Sequence, residues 1–199
     1  MKPVGVFFAT REGHTQQIAE RLVAALEAAG LRASLRNLRT NPGEIDLKEY
    51  GAVILAASVH AGSHEPEMVN FVKQNRYPLE AMPNAFVSVT LSQVGAEDVT
   101  RSPAERTGFA ADVDKVITKF LDETGWKPMH IKPVAGALPY SKYNFFTRFI
   151  MKRIARKNGA PTDTSRDYDF TNWADLGVFV HQFAEELSGV PSPQPHPVR

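Results

Sequence analysis

The sequence contains no cysteine among its 199 residues. Disulfide bonds, thiolate catalysis and cysteine-ligated iron–sulfur clusters are therefore excluded for this chain. If the protein transfers electrons, it must do so through a bound organic cofactor. A chain without cysteine also fits the cytoplasm, where disulfides are rare.

Long apolar runs are missing as well. No stretch approaches the about 20 apolar residues that a membrane-spanning helix needs, and the first residues contain no cleavable apolar signal. We therefore expect a cytoplasmic protein without a transmembrane helix. The charges nearly cancel, with 23 lysines and arginines against 22 acidic residues, but the segment 142–160 contains basic residues and no acidic one. This distribution predicts a local basic patch.

The remaining pattern alternates between strands and amphipathic helices, which favours an α/β fold with a parallel sheet and crossover helices. Short apolar runs predict buried strands, an alternating run predicts an outer strand, and a run flanked by prolines predicts an edge strand. In chain order the five predicted strands are 4–8, 31–38, 52–57, 85–89 and 129–134, with helices predicted around 18–29, 66–72, 113–121 and 173–187.

Two long segments do not fit this alternation. The polar stretch 92–108 follows the fourth predicted strand, and the segment 139–171 follows the fifth. Long excursions inside a compact domain are usually functional or disordered. Both leave from the carboxyl edge of the predicted sheet, where open α/β sheets bind ligands. The proline-rich segment 191–199 is expected to be a disordered tail after a domain at 1–190.

The loop Thr10–Thr15 joins the first predicted strand to the first helix. A helix start presents unpaired N–H groups to an anion, and Gly13 permits a close backbone approach. The lysine of a triphosphate-binding loop is missing, and so is the Gly-x-Gly-x-x-Gly of a dinucleotide site. We therefore interpret the loop as a site for a phosphate monoester, with Thr10 and Thr15 as hydroxyl donors. The alternative is that the loop only caps the helix. Arg11, Glu12 and His14 are expected to lie at the surface.

The loop's pattern Thr-x-x-Gly-x-Thr resembles the FMN-phosphate loop of flavodoxins. Across about residues 2–188 the chain is similar to the flavodoxin-type, quinone-dependent protoporphyrinogen oxidase family of bacterial haem synthesis. The segments that carry this similarity are 57–62 (Ala-Ser-Val-His-Ala-Gly), 135–140 (Ala-Gly-Ala-Leu-Pro-Tyr), 148–152 (Arg-Phe-Ile-Met-Lys), 162–164 (Thr-Asp-Thr) and 171–173 (Thr-Asn-Trp).

The resemblance implies a flavodoxin-like three-layer sandwich with strand order 2-1-3-4-5 and an insert after strand five. It implies that FMN is the cofactor, that no metal is needed, and that protoporphyrinogen IX is oxidised with electrons leaving to menaquinone or ubiquinone. The implied phosphate site is Thr10, Arg11, Glu12, Gly13, His14 and Thr15. The implied loops on the two sides of the flavin ring are Ser58, Val59, His60, Ala61 and Gly62, and Thr90, Leu91 and Ser92.

The insert contains a predicted basic amphipathic helix at 144–158. Such a helix can lie on an anionic membrane, or its guanidinium groups can pair with the carboxylates of a porphyrin. The alternative is that its apolar stripe packs on the domain while the basic face is solvated. No signature of nucleic-acid binding is present. The candidate contacts are Arg148, Lys152, Arg153 and Arg156.

Two other functions stay open at this point. A non-enzymatic flavodoxin-type electron carrier would be expected to have a strongly acidic surface, whereas this chain has a pI of about 8.0. A flavin-dependent quinone reductase with a different substrate would share the cofactor and the fold. The sequence identifies no general base, and His60 is the candidate to test first.

Overall fold

The computed structural model describes residues 2–142, 145–157 and 160–189. Five long strands form a parallel sheet in the order β2-β1-β3-β5-β6. When only these long strands are counted, this is the predicted order 2-1-3-4-5, so the flavodoxin-like fold class is confirmed. The strands are β1 (Val4–Ala9), β2 (Ala33–Asn37), β3 (Ala52–His60), β4 (Ser63–His64), β5 (Asn84–Thr90), β6 (His130–Ala135), β7 (Ala137–Leu138) and β8 (Tyr168–Asp169).

Six α-helices accompany these strands in the described part of the chain. They are α1 (His14–Ala28), α2 (Pro66–Glu80), α3 (Ser92–Glu97), α4 (Pro103–Thr124), α5 (Phe145–Lys157) and α6 (Trp173–Ser188). The predicted edge strand is β6, because it ends the sheet and tolerates a proline that cannot donate to a ladder. The other edge is β2, whose residues are only partly buried.

The central strands are buried on both faces, so their side chains contribute to two apolar cores, one on each face of the sheet. Along β1, Val4, Val6 and Phe8 pack against α1 and α6, whereas Phe7 and Ala9 pack on the side of α2 and α4. This period of two is the geometry of a β-strand. Two helices on each face of one sheet give the three-layer sandwich.

The polar stretch 92–108 is not the long loop that its composition predicted. It contains α3, and α4 already begins at Pro103. The Ser102 hydroxyl accepts a hydrogen bond from Glu105 N–H while the Glu105 carboxylate accepts from Ser102 N–H, and this capping box starts the helix about ten residues before its apolar stripe. Helix α4 ends at Gly125, whose positive φ of 68° suits glycine.

The segment after β6 is an ordered insert over the residues that the structure describes. Strand β7 pairs with β8 in an antiparallel ladder, and α5 lies between them in the chain. A small core of its own, formed by Leu138, Tyr140, Ala155 and Ala160, holds these pieces together. The predicted tail at 191–199 lies outside the described residues, and the domain bounds 1–190 stay a prediction. None of the helices described is long and apolar enough to cross a membrane.

Candidate functional site

A cavity of about 620 Å³ opens at the carboxyl edge of the sheet, where β1, β3, β5 and β6 end. The ends of these strands and the segments that follow them form most of its walls, and α4 and α5 complete them. Its lining residues include Thr10, Glu12, His14, Thr15, Ser58, Val59, His60, Ala61, Gly62, Thr90, Leu91 and Ser92. The structure thus brings together twelve of the predicted cofactor residues, while Arg11 and Gly13 are not part of the lining.

The loop before α1 leaves its helix start open to an anion. Gly13 is the N-cap with φ of 89°, a left-handed conformation that suits glycine, and no side chain caps the helix. Gly13 N–H donates to Thr10 Oγ1 at 3.2 Å, which closes the loop. The first turn carries no acidic residue, and Thr15 is buried within it. Uncapped N–H groups beside two threonines fit a phosphate monoester.

The Arg11 side chain forms an ion pair outside the cavity and does not line it. Its Nε donates to Glu65 Oε2 at 2.9 Å, and the Glu65 carboxylate is fully buried, whereas the Arg11 side chain is about half exposed at 48%. The hydrogen bond and charge of Glu65 raise the pKa of Arg11 above its usual value. The guanidinium is therefore paired with a carboxylate of its own protein.

The loop after β3 forms a tight turn on the cavity wall. Ala61 and Gly62 both have positive φ, at 48° and 76°, and the chain reverses between β3 and the short antiparallel β4. A positive φ is uncommon for a residue other than glycine and often occurs at binding sites. Lys119 from α4 holds this turn by donating to Gly62 O at 3.2 Å and to Ser63 Oγ.

His14 is not the surface residue that its position at a helix start predicted. Its side chain is only 11% exposed, and Nε2 lies 2.7 Å from Thr171 Oγ1 and 3.6 Å from Asp169. Because the Thr171 hydroxyl donates its proton to Ala135 O, His14 Nε2 is the donor. The pairing partners lie about 157 residues away in the sequence, so no local pattern could have predicted this burial.

His64 is a buried histidine that the sequence analysis missed. It lies on β4 directly after the cavity turn, with Nε2 2.8 Å from Ser88 Oγ and its ring against Phe86 and Phe120. Its Nδ1 has no hydrogen-bond partner among the residues described. Burial disfavours the charged imidazolium and lowers the pKa of His64 to about 4.

Helix α4 supplies a wall that was not predicted either. Asp112, Lys115, Val116 and Lys119 line the cavity at the spacing of one helical face. The spacing itself was visible in the sequence, but nothing local indicates that this face meets the sheet edge. From the insert, Met151 and Ile154 reach the cavity, together with Gly136 and Ala137.

The basic residues of α5 do not reach the cavity. Arg148, Lys152, Arg153 and Arg156 are all absent from its lining, and Arg153 and Arg156 are exposed to solvent. The helix therefore turns Met151 and Ile154 toward the cavity and leaves Arg153 and Arg156 in solvent. Over the described ranges, no group of three histidine or acidic side chains could hold a metal ion.

Comparison with known proteins identifies the class of the fold and site. A sequence model described as "Flavodoxin domain" matches residues 5–165. The rubredoxin oxygen:oxidoreductase of Desulfovibrio gigas aligns with a TM-score of 0.50 and 14% identity over 94% of this chain, which spans 37% of that longer chain. This likeness concerns the fold alone. The chain is a flavodoxin-type α/β protein.

Two curated relatives show which family of flavodoxin-type proteins the chain belongs to. A protein of Escherichia coli strain K12 named protoporphyrinogen IX dehydrogenase [quinone] is 32% identical over 179 residues, which are 90% of this chain and 93% of that protein. A Leishmania major protein of the same name is 30% identical over 191 residues, 96% of this chain and 78% of that protein. The chain therefore belongs to the protoporphyrinogen IX dehydrogenase [quinone] family of flavodoxin-type oxidoreductases, as its motifs predicted.

The depressed pKa of His64 makes the stability of the fold depend on pH. Unfolded histidine titrates near 6.5 but folded His64 near 4, so stability is complete above pH 6.5 and falls as the pH drops through this window. We expect the free energy of unfolding to lose about 2 kcal/mol more between pH 7.5 and pH 5 in the wild type than in His64→Gln. Urea titrations at both pH values measure this difference.

His181→Gln is the matched control, because that side chain is 68% exposed. It should keep the acid sensitivity of the wild type. Equal pH dependence in His64→Gln and the wild type would contradict the assignment of this titration to His64.

Proposed function

We propose that the chain oxidises protoporphyrinogen IX to protoporphyrin IX with FMN as its cofactor and passes the electrons to a membrane quinone. The observation that carries this proposal is the similarity to proteins of that name over at least 90% of the chain. The cavity supports it, because the uncapped start of α1 and the neutral donors around it suit the phosphate of a mononucleotide.

The residues around the cavity are proposed to form a phosphate site and two walls that flank the flavin ring. In this proposal the residues Thr10–Thr15 hold the phosphate through backbone amides and hydroxyls, the loop Ser58–Gly62 covers one face of the flavin ring, and Thr90–Ser92 borders the other. Ser92 N–H donates to Thr90 Oγ1 at 3.3 Å, which orders the second wall. FMN, when bound, would supply the chemistry of accepting and passing on reducing equivalents.

His60 is proposed as a proton acceptor at the cavity wall. Oxidation of a porphyrinogen releases protons, so a basic group near the reacting carbons and nitrogens would assist it. His60 lines the cavity with 29% of its side chain exposed, and its Nε2 lies 3.2 Å from Glu65 Oε1. The other ring nitrogen, Nδ1, is thus the atom available to take a proton.

The carboxylates of the substrate need cations, and α4 provides them inside the cavity. Lys115 and Lys119 line it, whereas the cations of α5 do not. Lys119 already binds the turn at Gly62 and Ser63, while Lys115 has no hydrogen bond or ion pair to another described residue. We propose that Lys115 pairs with a propionate of the porphyrinogen.

The outer face of α5 is proposed to contact an anionic membrane on its cytoplasmic side, where a membrane quinone is reached. Phe149 is 59% exposed, and Arg153 and Arg156 are exposed on the same helix. Apolar and basic side chains that are exposed together suit an interfacial helix, in which each cation near the surface contributes about 1 kcal/mol. Arg148 and Lys152 lie on the same helix, and their side chains are partly buried.

The phosphate site is tested by Gly13→Val. A β-branched residue is strained at the φ of 89° that Gly13 adopts, and the loop must deform to accept it. We expect the dissociation constant of FMN, measured by quenching of flavin fluorescence, to rise at least about tenfold, the effect of losing about 1.4 kcal/mol.

Gly30→Val is the matched control for this change. Gly30 also has a positive φ, at 81°, but it follows the C-terminal end of α1 and has open space around it. It should lower stability and leave FMN affinity unchanged. Full FMN affinity in Gly13→Val would refute the proposed phosphate site.

The substrate is tested by anaerobic turnover. Protein loaded with FMN should convert protoporphyrinogen IX to fluorescent protoporphyrin IX when a short-chain quinone is present, and flavin-free protein should not. Lys115→Gln should raise KM several-fold with little change in kcat, because one carboxylate contact is removed. Porphyrin formation no faster than in the flavin-free control would leave an electron carrier or a quinone reductase as the function.

The membrane contact is tested by sedimentation with vesicles of phosphatidylglycerol and phosphatidylcholine. Reversing two cations in Arg153→Glu/Arg156→Glu should weaken binding at least about tenfold, since each contributes about 1 kcal/mol. Arg21→Glu/Lys127→Glu changes the net charge equally at exposed positions elsewhere and should bind like the wild type. Equal partition of all three proteins would exclude α5 as the contact surface.

A further inference from the structure

Glu65 is a buried carboxylate that lies between the two loops of the cavity without lining it. It is the residue before α2, and its side chain has no solvent exposure. Burying a charged group is costly unless it is paired and hydrogen-bonded. An acid at this depth therefore needs partners, and its partners come from both loops.

The two oxygens of Glu65 serve different loops. Oε2 accepts from Arg11 Nε at 2.9 Å, and Arg11 belongs to the loop that begins α1. Oε1 accepts from Ser58 Oγ at 3.1 Å and lies 3.2 Å from His60 Nε2, and both residues lie at the end of β3, at the start of the segment Ser58–Gly62. The backbone adds a further link, because Glu65 N–H donates to Ser58 O at 3.2 Å.

Arg11 and Glu65 are 54 positions apart in the sequence. A carboxylate suits this position because it accepts on both oxygens, whereas an amide offers a single acceptor oxygen. Glu67, on the first turn of α2, also acts on Arg11 electrostatically, but its own contact is with Arg39 at 3.9 Å. Among the contacts of the described residues, Glu65 is the acid that joins Arg11 to the end of β3.

The turn that Glu65 holds is one that would not keep its shape unaided. Ala61 and Gly62 have positive φ, and such conformations persist where the surroundings fix them. Lys119 binds the far side of the turn at Gly62 and Ser63, and Glu65 binds its near side at Ser58 and His60. The turn is thereby fixed at both ends.

We propose that Glu65 is a positioning residue for the flavin, which locks the loop Ser58–Gly62 to the loop Thr10–Thr15 so that the phosphate site and the ring wall keep a fixed separation. This inference rests on the proposed function, because it requires a flavin mononucleotide that spans both loops. Glu65 touches neither the phosphate nor the ring. It acts through Arg11 on one side and through Ser58 and His60 on the other.

The test is a double-mutant cycle on FMN binding, with Glu65→Gln, Arg11→Met and the two combined. Each single variant should raise the dissociation constant of FMN about tenfold or more. The combined variant should bind no more weakly than the weaker single variant, because both changes break the same link. Arg11 is half exposed, so Arg11→Met tests the link even if Glu65→Gln fails to fold.

Two further measurements separate positioning from simple stabilisation. Glu67→Gln removes an acid from the same turn of α2 and should change FMN affinity less than about threefold. The visible circular dichroism of bound flavin should change in Glu65→Gln, because the ring wall is displaced, and should stay as in the wild type in Glu67→Gln.

The outcomes distinguish this inference from the proposed function. If the flavin-free Glu65→Gln protein melts at a lower temperature but binds FMN with wild-type affinity, Glu65 has a structural role only and the inference is overturned. Additive losses in the double variant would overturn it as well. A wild-type protein that does not bind FMN would overturn the proposed function and this inference with it.

Discussion

The architecture depends on one constraint, which is the burial of the central strands on both faces. A strand such as β3, apolar at every position from Ala52 to Ala57, must be covered on two sides, so helices have to cross above and below the sheet. Parallel connections of this kind deliver each strand-to-helix loop to the same edge. The cavity lies where the ends of four strands come together at this edge. The side chains of the segments that follow these strands determine its chemistry.

The sequence predicts what is local or periodic and misses what is paired over distance. Strand patterns predict the five long strands, and the Thr-x-x-Gly-x-Thr spacing predicts an anion site before α1, whereas the strand order and the two ring loops are implied by the family resemblance. The start of α4 was also readable, because Ser102 and Glu105 form a capping box, although polar composition concealed it. His14 and His64 could not be placed, since their burial is determined by Thr171, Ser88 and two phenylalanine rings that lie far along the chain.

The insert shows how one helix can face two environments. Helix α5 gives Met151 and Ile154 to the cavity and leaves Arg153 and Arg156 in solvent. From the sequence, the cations of this helix suit either a membrane surface or the carboxylates of a substrate, but none of Arg148, Lys152, Arg153 and Arg156 lines the cavity. The lysines that line the cavity, Lys115 and Lys119, belong to α4, on a helical face whose charged residues look like ordinary solvated positions in the sequence.

The insert leaves the sheet and returns to it at nearly the same place. Gly136 N–H donates to Thr90 O at the end of β5. Phe170 N–H donates to Gly136 O, and Thr171 Oγ1 donates to Ala135 O. The first and last residues of the insert are therefore hydrogen-bonded to each other at the end of β6. A segment with adjoining stems and a small core of its own is modular in the evolutionary sense. Because its two stems adjoin, such an insert can change in length without shifting the register of any strand in the sheet.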